Sequence, residues 1–164
     1  FPGSDLVIKE FPTGQASSNT VRNLLVQLQN YDDFCPDLVI IDYLELMRPV
    51  REIEKEYLAQ QRIAEEVRGV AMEFNILVWT ATQTNRQGRM VQVITDAELG
   101  DSYGKIRTCD FAMSLNQSEE EFDNGVMRAY VIKSRNGRPR FSVHMGVDYG
   151  TLRMTEIDGG FDAD

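Results

Sequence analysis

Three observations predict an α/β fold with a mostly parallel sheet flanked by helices. Pro36-Asp37 leads into a continuous apolar run, Leu38-Val39-Ile40-Ile41, that ends on the carboxylate of Asp42. A helical stripe of Ile63, Val67, Val70 and Phe74 follows, and a second apolar run, Ile76 to Ala81, begins after Asn75. Strand, helix and strand with short joints form the βαβ pattern of a parallel sheet. Near the C-terminus, Asn136-Gly137 sits between two β-prone segments and predicts a hairpin.

The elements follow in order. Leu6-Val7-Ile8 reads as a short strand, and Phe11-Pro12-Thr13-Gly14 as a turn. From about Asn19 the spacing of Val21, Leu24, Leu25 and Leu28 predicts a helix, with Ser17 or Ser18 as its cap. The unbroken apolarity of Leu38 to Ile41 predicts a strand covered on both faces. After a loop around Pro49, the longest helix is expected from Glu52 to Phe74, with Arg62, Glu65, Glu66 and Arg68 on its solvated side. Thr82 to Arg107 is polar, contains Gly88 and Gly100, and ends in a short helix near Asp101 to Thr108. A connection that long in a compact domain is uncommon unless it is functional or mobile. Phe111 to Leu115 resumes a strand, and Asn116 to Glu121 reads as a solvated excursion. Arg128 to Lys133 and Arg140 to Met145 form the hairpin, and Thr151 to Ile157 a last strand. Residues 1–157 are therefore expected to form one core, and the acidic, glycine-bearing stretch 158–164 a disordered tail.

Composition narrows the functional classes. The 164 residues are 42% hydrophobic and 26% charged, ordinary for a globular domain. No apolar run of about 18 residues is present, and Phe1-Pro2-Gly3-Ser4-Asp5 has no signal-peptide character, so a cytoplasmic protein without a membrane span is expected. Cys35, Cys109 and the single His144 are too few and too scattered for a structural zinc site or a disulfide scaffold. A net charge of -9 repels a phosphate backbone over most of the surface, so any nucleic-acid contact must be local. Two basic clusters supply candidates: Arg86 with Arg89, and Lys133, Arg135, Arg138 and Arg140.

Asp42 is the first candidate for chemistry. A carboxylate at the C-terminal end of a parallel strand projects into the crevice where open α/β sheets bind ligands, and it can hold magnesium through water. The plain alternative is that it only ends the strand. Tyr43 stands where several nucleotide-hydrolysing enzymes place a glutamate base, and no Gly-x-x-x-x-Gly-Lys-[Ser/Thr] loop occurs. Gln83, just past the second strand, has an amide suited to reading a terminal phosphate, or is an ordinary turn residue.

Taken in order, Leu38 to Met47, Thr82-Gln83-Thr84-Asn85-Arg86, Asp110-Phe111-Ala112 and Lys133-Ser134-Arg135-Asn136-Gly137 resemble the motifs of DnaB-type replicative helicases, especially phage-encoded ones. The resemblance runs from Leu6 to about Ile157 and implies the latter part of a RecA-like motor domain. The family's phosphate loop and catalytic glutamate lie on preceding strands, so the fold is expected to be N-terminally incomplete and the isolated chain inactive. The resemblance further implies ATP or another NTP with magnesium as cofactors. Asp42 is then the Walker B aspartate, Gln83 the γ-phosphate sensor, and Lys133 and Arg135 a pair reaching a neighbouring subunit's nucleotide, Arg135 as arginine finger. Arg86, Arg89, Lys105 and Arg107 match the region that binds single-stranded DNA in a hexameric ring translocating 5′ to 3′, with a primase or loader as further partners. Arg107 is alternatively a cation at a helix C-terminus. The rivals are a RecA-type recombinase or signalling ATPase, and a non-catalytic interaction domain of the same fold.

Overall fold

The computed structural model describes residues 5–83 and 103–163. Its elements are α1 (Ser18–Tyr31), β1 (Leu38–Ile41), α2 (Glu56–Phe74), β2 (Leu77–Thr80), α3 (Tyr103–Thr108), β3 (Phe111–Asn116), α4 (Glu119–Asp123), β4 (Val126–Ser134), β5 (Phe141–Asp148) and β6 (Arg153–Ala163). They fall into two compact units, Phe1–Thr82 and Gln83–Asp164. None of the described helices is long and apolar enough to cross a membrane.

The first unit is a β-α-β crossover with α1 added. α1 begins where expected: Ser17 is extended, and its N–H donates to Thr20 Oγ1 at 3.1 Å. α2 buries Ile63, Ala64, Val67 and Val70, which is the stripe its spacing predicts. Asn75 ends it in the left-handed region at φ 51°, donating its N–H to the carbonyls of Ala71 and Met72. Asparagine tolerates that conformation, so one residue suffices to turn the chain into β2. β1 and β2 pair in parallel with Leu38 opposite Leu77 and Ile40 opposite Trp79. Ile41 and Val78 pack on a core of Leu44, Met47, Ile63, Ala64 and Val67.

Three expectations change in this unit. Leu6-Val7-Ile8 forms no strand, and Leu6 and Ile8 are each 82% exposed; β-prone side chains make a strand only where an edge is available to pair. β1 is not covered on both faces, because Leu38, Ile40, Leu77 and Trp79 share one side and are 43 to 68% exposed. Glu66 is not on a solvated face. Its side chain is 11% exposed and accepts from Ser18 Oγ at 3.0 Å, the Val50 N–H at 3.2 Å and Arg62 Nε at 3.4 Å, joining α1, the loop and α2.

The second unit is an antiparallel sheet in the order β3-β4-β5-β6, so the expectation of a mostly parallel sheet is corrected: β1–β2 is the parallel pair, and the other described pairs are antiparallel. Connection length explains the outcome. A parallel pairing needs a crossover of about a dozen residues or more, and the links from β4 to β5 and from β5 to β6 are too short for one. The predicted hairpin is present as β4 and β5, joined by residues 135–140. Asn116 to Glu121 is more ordered than expected, because Ser118 and Glu121 form a capping box that opens α4: the Glu121 N–H donates to Ser118 Oγ at 3.2 Å and the Ser118 N–H to Glu121 Oε2 at 2.7 Å. Gly125 then turns the chain at φ 63°, where a Cβ would lie 3.0 Å from the Val147 carbonyl. Finally, β6 runs through Ala163 with Ser142 opposite Asp162, so the stretch expected to be disordered from Asp158 pairs with β5 instead.

Candidate functional site

Each unit presents its own part of the predicted set. In the first, Asp42 follows β1 directly and is exposed, at the strand end where the sequence places it. The Asp42–Tyr43 peptide is cis. A 3-10 turn, Leu44–Leu46, comes next, and its buried Leu44 anchors the segment in the core. Three bonds tie this end of β1 to the end of β2. Thr80 Oγ1 donates to the Ile41 carbonyl at 2.8 Å, the Leu44 N–H to the Ala81 carbonyl at 3.5 Å, and Thr82 Oγ1 to the Glu45 carboxylate. The backbone just before Gln83 is thereby held against the segment that carries Asp42.

Does this donor set suit magnesium? Among the described residues no group of three metal-ligating side chains gathers. Magnesium keeps several waters and takes one or two carboxylates together with substrate phosphates, so a lone exposed aspartate fits as a water-mediated ligand completed by a nucleotide. Asp42 meets that requirement; a resident magnesium without nucleotide does not follow from it.

In the second unit Lys133 and Arg135 both contact the junction between α3 and β3. Lys133, on β4, donates its Nζ to the carbonyls of Ile106 at 3.0 Å and Arg107 at 2.9 Å, at the C-terminal end of α3. Arg135, just beyond β4, sets Nη1 2.6 Å from Asp110 Oδ1, and its N–H donates to the Asp110 carbonyl at 2.9 Å. Lys133 and Arg135 thus both contact the segment that joins α3 to β3. They differ in availability, since Arg135 is exposed and Lys133 is partly buried with its ammonium on α3.

The nucleic-acid candidates separate as well. Arg86 and Arg89 lie outside the described residues. Arg107 is exposed at the end of α3, the place where a cation also complements the helix dipole. Lys105, on the short helix α3, is 8% exposed, in contrast to Arg107 two residues on. The contacts of Asp110, quoted in the sequence only as part of a motif, of Glu66, expected on a solvated face, and of Glu45 are what sequence reasoning missed. No local spacing flags them, because their partners come from other elements.

No protein-family model matches the chain. Over 158 residues, 93% of its length, it is 32% identical to a DnaB-like replicative helicase of Enterobacteria phage T4, and it spans 33% of that relative. In three dimensions it is similar to a solved ATPase domain, with a TM-score of 0.73 and 19% identity, covering 87% of this chain and 52% of that one. It is equally similar, at a TM-score of 0.73 and 19% identity, to a DnaB-like replicative helicase described with its interactions with primase, there covering 36% of the other chain. By sequence the chain is thus related to a DnaB-like replicative helicase, and it shares its fold with a solved ATPase domain and with part of a solved DnaB-like replicative helicase.

Proposed function

We propose that this chain is the latter part of the motor of a ring-forming replicative DNA helicase, which couples ATP hydrolysis to movement along single-stranded DNA. The observation that carries this reading is the relation to the T4 helicase across 93% of the chain, joined to an exposed Asp42 at the end of β1. Asp42 would hold magnesium through water, and the ion, when bound, neutralises phosphate charge. Gln83 leaves the tied ends of β1 and β2 and offers its amide to the terminal phosphate. Arg135 projects from the β4–β5 loop toward a neighbouring subunit's nucleotide, where a planar, permanently charged guanidinium binds two oxygens at once. Lys133 secures the base of that loop to α3, and exposed Arg107, with Arg86 and Arg89, serves the DNA backbone. A primase or a loader is the expected further partner.

The test uses the full-length, assembled protein. Arg135→Ala is expected to lower turnover by about 10³-fold while nucleotide affinity stays near that of the parent, because an arginine supplied in trans acts mainly on the transition state. Mixing Arg135→Ala subunits with Asp42→Asn subunits should restore a fraction of activity at the interfaces that pair two intact halves. Intact rings that recover none would refute action in trans.

A further inference from the structure

Arg135 is held more closely than a solvated loop arginine needs to be. Phe111 lies opposite Ser134 in the β3–β4 register, so Asp110 and Arg135 are the next cross-strand pair. Two contacts fix that pair, the side-chain ion pair at 2.6 Å and the backbone bond from the Arg135 N–H to the Asp110 carbonyl at 2.9 Å. The ion pair engages one terminal nitrogen, Nη1, of a guanidinium that has two further donor nitrogens. The side chains of Arg135 and Asp110 are 53% and 54% exposed, so the contact sits at the surface and does not bury the arginine.

We propose that Asp110 is the positioning residue for Arg135: it pins one corner of the guanidinium and sets the remaining donor edge outward, toward a phosphate. This rests on the reading of Arg135 as a trans-acting cation. A flexible arginine must be ordered when it meets the phosphate, and ordering four side-chain torsions in advance lowers the entropic cost of reaching the transition state. An exposed ion pair contributes little to stability by itself, so its value here lies in direction. The junction that carries Asp110 also receives Lys133 Nζ on the Ile106 and Arg107 carbonyls. The end of β4 and the first residue of the loop that follows it are therefore both referenced to one short segment, residues 106–110.

The experiment is a double-mutant cycle in the full-length, assembled protein, reading kcat and KM for nucleotide hydrolysis. Asp110→Ala should reduce kcat by about 10- to 100-fold, as expected for a displaced catalytic group, with KM within twofold or so. In an Arg135→Ala background the same change should cost nothing further. Asp110→Asn, which keeps the shape and one acceptor oxygen, should give an intermediate loss and serves in its place if the alanine variant does not assemble. Turnover unchanged by both Asp110 variants, or an equal loss in the Arg135→Ala background, overturns the positioning role. Full turnover in Arg135→Ala alone instead overturns the underlying reading of Arg135.

Discussion

The two units solve the same problem differently. The first closes a parallel pair with helices packed on one side, leaving Leu38, Ile40, Leu77 and Trp79 exposed on the other. The second pairs four strands with one another and uses short turns and a capped helix to finish their ends. A parallel sheet is normally covered on both faces, whereas an antiparallel one can keep a face in water. The first unit therefore depends on its helices and keeps one apolar face bare; the second draws its order from local pairings. Candidate chemistry follows the same division, with Asp42 at a strand end tied by long-range bonds and Arg135 on a hairpin loop tied to the neighbouring strand.

The sharpest way to break the comparison is to damage one core and watch the other unit. Ile63 is 1% exposed at the centre of the first unit, so Ile63→Ala should destabilise it by about 2–5 kcal/mol. Amide hydrogen exchange should then accelerate in α2, β1 and β2 and remain slow in β4 and β5. Equal loss of protection in both would mean that the two units unfold together.

A smaller effect concerns the bare face. Four apolar side chains on one side of a two-stranded ladder should drive self-association of the isolated chain. Replacing Ile40, 68% exposed, by Lys should raise the monomer fraction in light scattering with a stability change of roughly 0.5 kcal/mol or less. A parent chain that is already monomeric at high concentration, with no apolar dye binding, would show that the face does not associate.

The smallest effect is a matter of pH and belongs to the second unit. Burial raises the Glu121 carboxyl, but the Ser118 N–H and the Arg128 guanidinium outweigh it and hold the group below its ordinary value of 4.5. Because its folded value is depressed, the stability it adds is present above the unfolded value and is lost as pH falls below about 4.5 through the folded value. Glu121→Gln should flatten that part of the acid-unfolding curve for β4 and α4. A curve unchanged by the substitution would remove Glu121 from the account.

What could be read in advance, and what could not, follows from the range of the interactions. Helix α2, strands β1 and β2 and the hairpin were legible because period and turn residues are local signals, and Asp42 was legible because its position is defined by the strand before it. The capping box at Ser118 and Glu121 was equally local and was overlooked in an acidic stretch that read as solvated. Leu6-Val7-Ile8 misled because β-propensity does not say whether an edge is available. The pairing of β6 through Ala163, the burial of Lys105 and the three contacts of Glu66 depend on which elements meet, and composition carries no trace of that. Arg135 was legible as a basic residue on a hairpin; its contact with Asp110 was not, since the partner lies across the ladder.

The bonds that join the ends of β1 and β2 have a mechanical meaning. Thr80, Leu44 and Thr82 fasten the two strands just where the chain leaves toward Gln83. A pull on that exit along the strand axis loads the parallel ladder in shear, so its rungs resist together and are not peeled one after another. Strain applied at Thr82 would thus be shared between both strands before it reaches the segment that carries Asp42.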